Sequence, residues 1–244
     1  MRYFFLILIF FLSFNTVIAS SLLDSDKDGI LDRDELDIYK TDINNHDTDN
    51  DGYSDWLELN NGYSPFKAGN IKLEESDYDN DGLTDKMELD FHTDLSNTDT
   101  DGDGFSDGVE IENGYDPLNS APVKLSKRIE VDLSNQELHY FLGGVRLNKF
   151  IISSGINNST PKGFFRIDEK QKKAWSSFGL WMPFWMSFLN GYYGIHELPE
   201  WPDGRKEGEN HLGLPVSHGC IRLGSENAEI LYNWAEKGTL VYIY

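Results

Sequence analysis

Disulfides, long membrane spans and basic charge are all scarce in this 244-residue chain, which has one cysteine. A lone thiol rules out a disulfide-stapled scaffold, because a structural cysteine needs a partner in an oxidising compartment. Between Ser21 and Pro122 there are 6 Lys and Arg against 29 Asp and Glu, net −23. That balance excludes a nucleic acid as partner, since phosphate binding rests on clustered cations. The one long apolar run, Tyr3 to Phe14, is shorter than the ~20 residues that span a bilayer. Arg2 precedes it and the small residues Val17 and Ala19 follow, the pattern of a signal peptide cleaved after Ala19. No cysteine follows the run, so a lipid anchor is excluded, and the mature chain is expected to be exported to the periplasm or cell surface without a membrane span.

Charge and aromatic content divide what remains. From Val123 to Tyr244 there are 13 acidic and 14 basic residues, and all six tryptophans except Trp56 lie beyond position 174. The chain therefore reads as a leader over 1–19, an acidic polar module over 20–122 and a neutral, aromatic-rich globular domain over 123–244.

Four segments of the acidic module share one pattern: "DSDKDGILDRDE", "DTDNDGYSDWLE", "DYDNDGLTDKME" and "DTDGDGFSDGVE". Each has Asp at positions one, three, five and nine, Gly at six and Glu at twelve. The candidate ligands are Asp24, Asp26, Asp28, Asp32 and Glu35; Asp47, Asp49, Asp51, Asp55 and Glu58; Asp77, Asp79, Asp81, Asp85 and Glu88; and Asp99, Asp101, Asp103, Asp107 and Glu110. Calcium chemistry asks for that spacing: alternate oxygens wrap the ion, the glycine allows a sharp turn, and the last carboxylate can bind with both oxygens. Asp24 to Asp77 is 53 residues and Asp47 to Asp99 is 52, and "NGYSPFKAG" answers "NGYDPLNSA", so a two-loop unit is duplicated in tandem. The segment resembles bacterial thrombospondin type 3 repeats, which implies structural Ca2+ and nominates the connector residues Asp42 and Asp94 as further ligands. Without calcium, mutual repulsion of the carboxylates predicts disorder. The module reads as an irregular calcium-stiffened stalk that spaces the second domain or docks an envelope protein partner.

In the second half, "RIEVDLSNQELHYFLGGVRLNKFIISSG" alternates apolar and polar residues between turn signals, as an antiparallel meander does. Another strand follows "TPKGFFRI". Near the end, Ser225 is expected to cap a short helix carrying Ala228, Leu231, Trp234 and Ala235 on one face, Gly238 to stop it, and a last strand to follow. The class is mainly β with a little helix. Cys220 in "SHGCIRL" has two histidines as candidate bases, His196 and His218; a thiol attacks as thiolate and needs one within reach. Gly219 and Cys220 supply backbone N–H groups suited to an oxyanion, and Arg222 suits a carboxylate. The residues His196, His211, His218 and Cys220 are also the atom types of a zinc site, and Cys220 alone could be a buried, inert thiol.

"IEVDLSNQELHYF", "TPKGFF", "YGIH" and "SHGCIRL" together resemble the L,D-transpeptidase (YkuD-type) catalytic domain of bacterial cell-wall enzymes. The resemblance implies a β-sandwich or barrel with a short helix. It also implies Cys220 as nucleophile, His196 as base, His218 shaping the pocket, Gly219 at the oxyanion, and Ser217, Arg222 and Tyr193 contacting a peptidoglycan stem peptide, with no cofactor for the chemistry. The reaction implied releases D-alanine and passes the acyl group to an amine, in cell-wall organisation and cell shape. Water as acceptor would make the enzyme an L,D-carboxypeptidase, a hydrolase; a chain without activity would be a calcium-dependent surface-binding protein. Glu197 stands where the family commonly has a small residue, leaving open what orients the His196 ring. "ELPEWPDGRKEGENHLGLPV" is a long insert before "SHGC" that reads as a surface loop selecting the acceptor. The stretch around Trp175, Trp181 and Trp185 is either a lid beside the cleft or ordinary core.

Overall fold

A computed structural model describes residues 22–244; the expected leader over 1–19 lies outside the described residues. Two compact units meet at the Val123–Lys124 bond. Among the described residues no helix is long and apolar enough to cross a membrane.

The first unit is a chain of acidic loops, each running into a short helix. Three of these helices, α2 (Asp55–Asn61), α3 (Asp85–Phe91) and α4 (Asp107–Asn113), begin after Ser54, Thr84 and Ser106, whose hydroxyls accept the N–H of Leu57, Met87 and Val109. A hydroxyl at loop position eight is thus a helix N-cap. The first loop has Leu31 there, which cannot cap. Its helix α1 (Asp32–Asp34) has three residues and runs into a π-helical turn, Glu35–Tyr39. The duplication seen in the sequence recurs in the contacts: Asp28 Oδ2 accepts the Trp56 N–H at 2.9 Å, and Asp81 Oδ2 accepts the Gly108 N–H at 2.6 Å. In both units the position-five carboxylate of one loop ties down the helix after the next.

The second unit is one curled mixed sheet. Its strands are β1 (Lys127–Asp132), β2 (Glu137–Leu142), β3 (Val145–Ser153), β4 (Gly163–Arg166), β5 (Glu169–Trp175), β6 (Trp181–Leu189), β7 (Tyr193–Glu197), β8 (Ile221–Leu223) and β9 (Leu240–Ile243), ordered β4-β9-β1-β2-β3-β8-β7-β6-β5. The meander β1-β2-β3 is antiparallel, while β1/β9 and β7/β8 are parallel. The curl brings Phe165 of β4 within 5.3 Å of Phe188 of β6, around a core that includes Ile129, Leu138, Ile152, Met186, Ile195 and Ile221. Helix α5 (Ser225–Trp234) lays Ala228 and Leu231 on that core. Two local expectations are corrected. Gly224, with no side-chain bond, occupies the cap position in place of Ser225, and the helix ends at extended Ala235, before Gly238. Lys170 Nζ, 2.5 Å from both the Tyr232 and Ala235 carbonyls, serves the orphan acceptors at that end.

Candidate active site and candidate calcium loops

Parallel pairing of β7 with β8 assembles the candidate active site. The register sets Ile195 beside Ile221 and His196 beside Arg222, so Gly194 falls beside Cys220. Alternation along a strand puts Cys220 and Arg222 on one face, and both line, with His196, a cavity of about 390 Å³. Ser217, His218, Trp175, Phe178, Trp185, Tyr192 and Glu207 also line it.

His196 is buried, and its Nδ1 lies 2.5 Å from the Glu197 carbonyl oxygen. A carbonyl only accepts, so Nδ1 carries the proton and Nε2 keeps a lone pair. The residue departing from the family pattern thus orients the ring with its main chain. Its carboxylate is held elsewhere, by Lys206 Nζ at 2.5 Å. Burial, with the Arg222 charge adding to it, pushes the imidazole down to about 3. Burial also pushes the Cys220 thiol up, opposed by the Gly194 N–H and by Arg222. The resting pair is therefore a neutral thiol and a neutral imidazole, a base able to take the proton as sulfur attacks.

Gly194 explains itself by contact. A Cβ there would sit 2.7 Å from the Trp185 ring and 2.8 Å from the Met186 carbonyl, so only glycine lets the indole lie beneath β7. Gly219 is equally constrained, with φ +135° and a Cβ position 2.4 Å from Tyr193 Cε1. The turn before Cys220 is held from two sides. Ser217 Oγ donates to the Cys220 carbonyl at 2.6 Å and accepts the Gly219 N–H at 2.9 Å. Thr160 Oγ1 donates to the Gly219 carbonyl and accepts the Gly155 N–H, and Ser154 accepts the Ser217 N–H through its carbonyl. Gln136, behind them, accepts the Ser154 N–H.

These contacts revise several expected roles. The Gly219 N–H is engaged by Ser217 Oγ, so it does not face the cavity as an oxyanion donor. Ser217, which also lines the cavity, has its hydroxyl proton on Cys220's carbonyl and so staples the turn. Tyr193 packs against Gly219 and the core, and its neighbour Tyr192 is the tyrosine that lines the cavity; one residue of strand phase separates the two. His218 is exposed and stacked on Phe178 at 4.0 Å, shaping the rim. The aromatic stretch divides between its two readings: Trp185 is buried 5.7 Å from His196, whereas Trp175 and Phe178 are exposed at the cavity edge. The zinc alternative gains no geometry. Among the described residues, groups of three ligand-type side chains close enough for one ion are the Asp triplets, and His211 packs against Gly208.

Those triplets are Asp24, Asp26 and Asp28; Asp47, Asp49 and Asp51; Asp77, Asp79 and Asp81; and Asp99, Asp101 and Asp103, each with one oxygen per residue within 4.8 Å of the others. The position-twelve glutamates stand outside those triplets but feel their charge. Glu35, Glu58, Glu88 and Glu110 are buried, and each has a carboxylate oxygen without a hydrogen-bond partner among the described residues. Burial and then the neighbouring aspartates raise them to about 7, 8, 9 and 7, respectively. Orphaned, crowded carboxylates of this kind suit a hard dication. The position-nine aspartates do not join them. Both oxygens of Asp32, Asp55 and Asp107 take the N–H and hydroxyl of Ser25, Thr48 and Thr100, and Asp85 takes the Tyr78 N–H and the Ser64 hydroxyl. They close the loops from behind. Asp42 and Asp94 likewise form local turns with Asn44 and Ser96, outside the triplets.

Comparison with known proteins agrees with this division. Residues 126–243 match the family model of the L,D-transpeptidase catalytic domain, and residues 47–62, 77–94 and 99–120 match the bacterial TSP3 repeat. YciB of Bacillus subtilis (strain 168), a protein named as an L,D-transpeptidase, is 30% identical over 124 residues, 47% of this chain. The chain spans 64% of that relative's length. Among solved structures, an L,D-transpeptidase from Mycobacterium smegmatis is 20% identical with a TM-score of 0.44, over 50% of this chain and 60% of the other. One from Stackebrandtia nassauensis is 27% identical with a TM-score of 0.42, over 49% and 55%.

Proposed function

From a chain that carries an L,D-transpeptidase catalytic domain over residues 126–243 and bacterial TSP3 repeats before it, we propose a cysteine acyltransferase acting on peptidoglycan stem peptides. The observation that supports this most directly is that Cys220, immediately before β8, and His196, on the adjoining strand β7, line one cavity, with the Glu197 carbonyl holding the imidazole in the tautomer of a base. In this reading Nε2 of His196 takes the thiol proton as Sγ adds to the carbonyl at the L-centre of the diamino acid. Collapse of the adduct breaks the bond to D-alanine, whose nitrogen receives that proton, and leaves a thioester on Cys220. The amine of a second stem then attacks, gives its proton to His196 and displaces the thiolate, forming the crosslink. The Arg222 guanidinium on the same face favours the charge that sulfur carries on leaving.

The same proposal assigns the N-terminal module to a calcium-stiffened stalk and residues 1–19 to an export leader. Asp24, Asp26, Asp28 and Glu35, with their counterparts in the other three loops, would hold the ions; calcium, when bound, supplies the positive charge these carboxylates lack.

Intact-mass analysis with a carbapenem tests the reading. A one-equivalent adduct on the wild-type chain, absent from Cys220→Ala, is the expected result. No adduct in the presence of calcium overturns it. Stem-peptide assays then separate the acceptors: a crosslinked product marks transpeptidation, and a tripeptide with no crosslink marks carboxypeptidation.

A further inference from the structure

Resting on the acyl-transfer reading above, we infer that Glu207 and Arg222 form a two-charge subsite for a zwitterionic α-amino-acid head, an ammonium and a carboxylate on one carbon, carried by the donor stem peptide.

Arg222 is 6% exposed and lines the cavity that also holds Cys220 and His196. Its Nε has no hydrogen-bond partner among the described residues. The nearest opposite charge is Glu207, whose Oε2 lies 3.9 Å from Arg222 Nη2 and is itself buried without a hydrogen-bond partner. Charge-assisted hydrogen bonds close to about 2.7–2.9 Å. The insert that carries Glu207 does close them elsewhere, as Lys206 meets Glu197 at 2.5 Å and Lys173 meets Glu200 at 2.7 Å. Lys206 stands at a similar 3.8 Å from the second oxygen of Glu200, so an open pair is not peculiar to these two; what sets Glu207 and Arg222 apart is that both line the cavity and that each has a buried polar atom without a hydrogen-bond partner among the described residues.

Removing charge from water without filling its hydrogen bonds is costly, so the chemistry that completes this site is the one that satisfies both groups. A lone carboxylate would meet Arg222 but bring its charge against Glu207. A lone ammonium would meet Glu207 and be repelled by Arg222. A head bearing both charges places each against its complement. Arg222 is two residues beyond Cys220 on the same strand face, roughly 6–7 Å along an extended chain. A diamino dicarboxylic acid spans a comparable distance from the carbonyl that sulfur attacks to its second, free α-amino-acid centre. Glu207 thus becomes a specificity residue that the motif around Cys220 does not contain.

The test uses the full chain with calcium and three synthetic stem peptides ending in D-alanine. In one the second centre of the diamino acid is free; in another its amine is acetylated; in the third its carboxylate is amidated. Release of D-alanine gives kcat/KM. The wild type should favour the free peptide over either blocked one by about tenfold or more, the loss expected when a buried charge is left unpaired. Glu207→Gln should bring free and acetylated peptides to near equality while still preferring free over amidated, and Glu207→Lys should reverse the first preference. Melting curves establish that both variants fold. Equal use of all three peptides by the wild type, or unchanged selectivity in Glu207→Gln, overturns the subsite. A carbapenem adduct on wild-type Cys220 separates this from failure of the parent reading: an adduct with flat selectivity, or with no stem peptide turned over, sinks the subsite alone, whereas no adduct sinks both.

Discussion

The two halves of this protein solve opposite electrostatic problems. Among the described residues, the acidic module buries six hydrophobic side chains and eight carboxylates, whereas the second domain buries twenty-two hydrophobic side chains and, besides Tyr140 among them, His196, Glu197 and Arg222. In the domain the buried carboxylate of Glu197 is matched by Lys206, and the core supplies the driving force for folding. In the module the glutamates are raised by burial and then by the neighbouring aspartates, and among the described residues no ion pair to a Lys or Arg answers them. Apolar area holds one fold together; the other, in the calcium reading proposed above, depends on charge brought from outside.

Removing calcium should break the comparison most visibly. Chelation is expected to unfold residues 24–120 and leave the domain intact, read as loss of amide-exchange protection across the loops with unchanged protection in β1, β2 and β7. Equal protection of the loops with and without the chelator would mean that the module has another source of stability.

Acid should act on the domain through His196. Its folded value, about 3, lies below the ordinary 6.5, so as pH falls the unfolded chain takes up a proton first. Stability is therefore complete above about 6.5 and declines through that interval, by up to about 1.4 kcal/mol per pH unit. In denaturant melts with calcium, His196→Gln should lose about 2 kcal/mol less than wild type between pH 7 and pH 5. Parallel curves would show that the imidazole is not held neutral.

Next in size is a backbone test. Gly219→Ala forces a side chain onto φ +135° and against Tyr193. A cost of about 2–3 kcal/mol is expected, together with loss of the carbapenem adduct because the turn carrying Cys220 shifts. An alanine variant with wild-type acylation would show that the turn tolerates displacement.

The smallest effect is the sharpest in sign. Burial and the aspartates around it raise Glu88 to about 9, so at pH 7 it takes up a proton to be buried; Glu88→Gln removes that cost, and the calcium-free module should become less unstable by about 1 kcal/mol or more while calcium affinity falls about tenfold or more. Calorimetry and melting read both. Movement of the two quantities in the same direction would contradict a module strained by its own charge.

How far the sequence could be read also differs between the halves. Candidate loop ligands repeat at fixed spacing, so the four loops and the clustering of positions one, three and five were legible from composition and period alone. Position nine has a use that spacing does not announce: its aspartate closes the loop on Thr48 or Thr100. In the domain, Cys220 and His196 stood out through their motifs. Their helpers did not: Gly194, Thr160, Ser154 and Gln136 come from other strands and turns, and no local pattern announces a threonine that joins Gly155 to Gly219. Tyr192 and Tyr193 show the limit most simply, since strand phase assigns one to the cavity and the other to the core.

Residue identity and spacing by themselves determined the two-part organisation, the four acidic loops and the candidate nucleophile with its candidate bases, because each is written in local chemistry or in a repeat. Tertiary structure alone decided which histidine sits beside the strand of Cys220, which tautomer it holds, and that Glu207 faces Arg222 across a gap. The physical reason is that β7 and β8 are parallel: their pairing joins residues far apart in sequence, and the register of that pairing is set by the packing of the whole sheet.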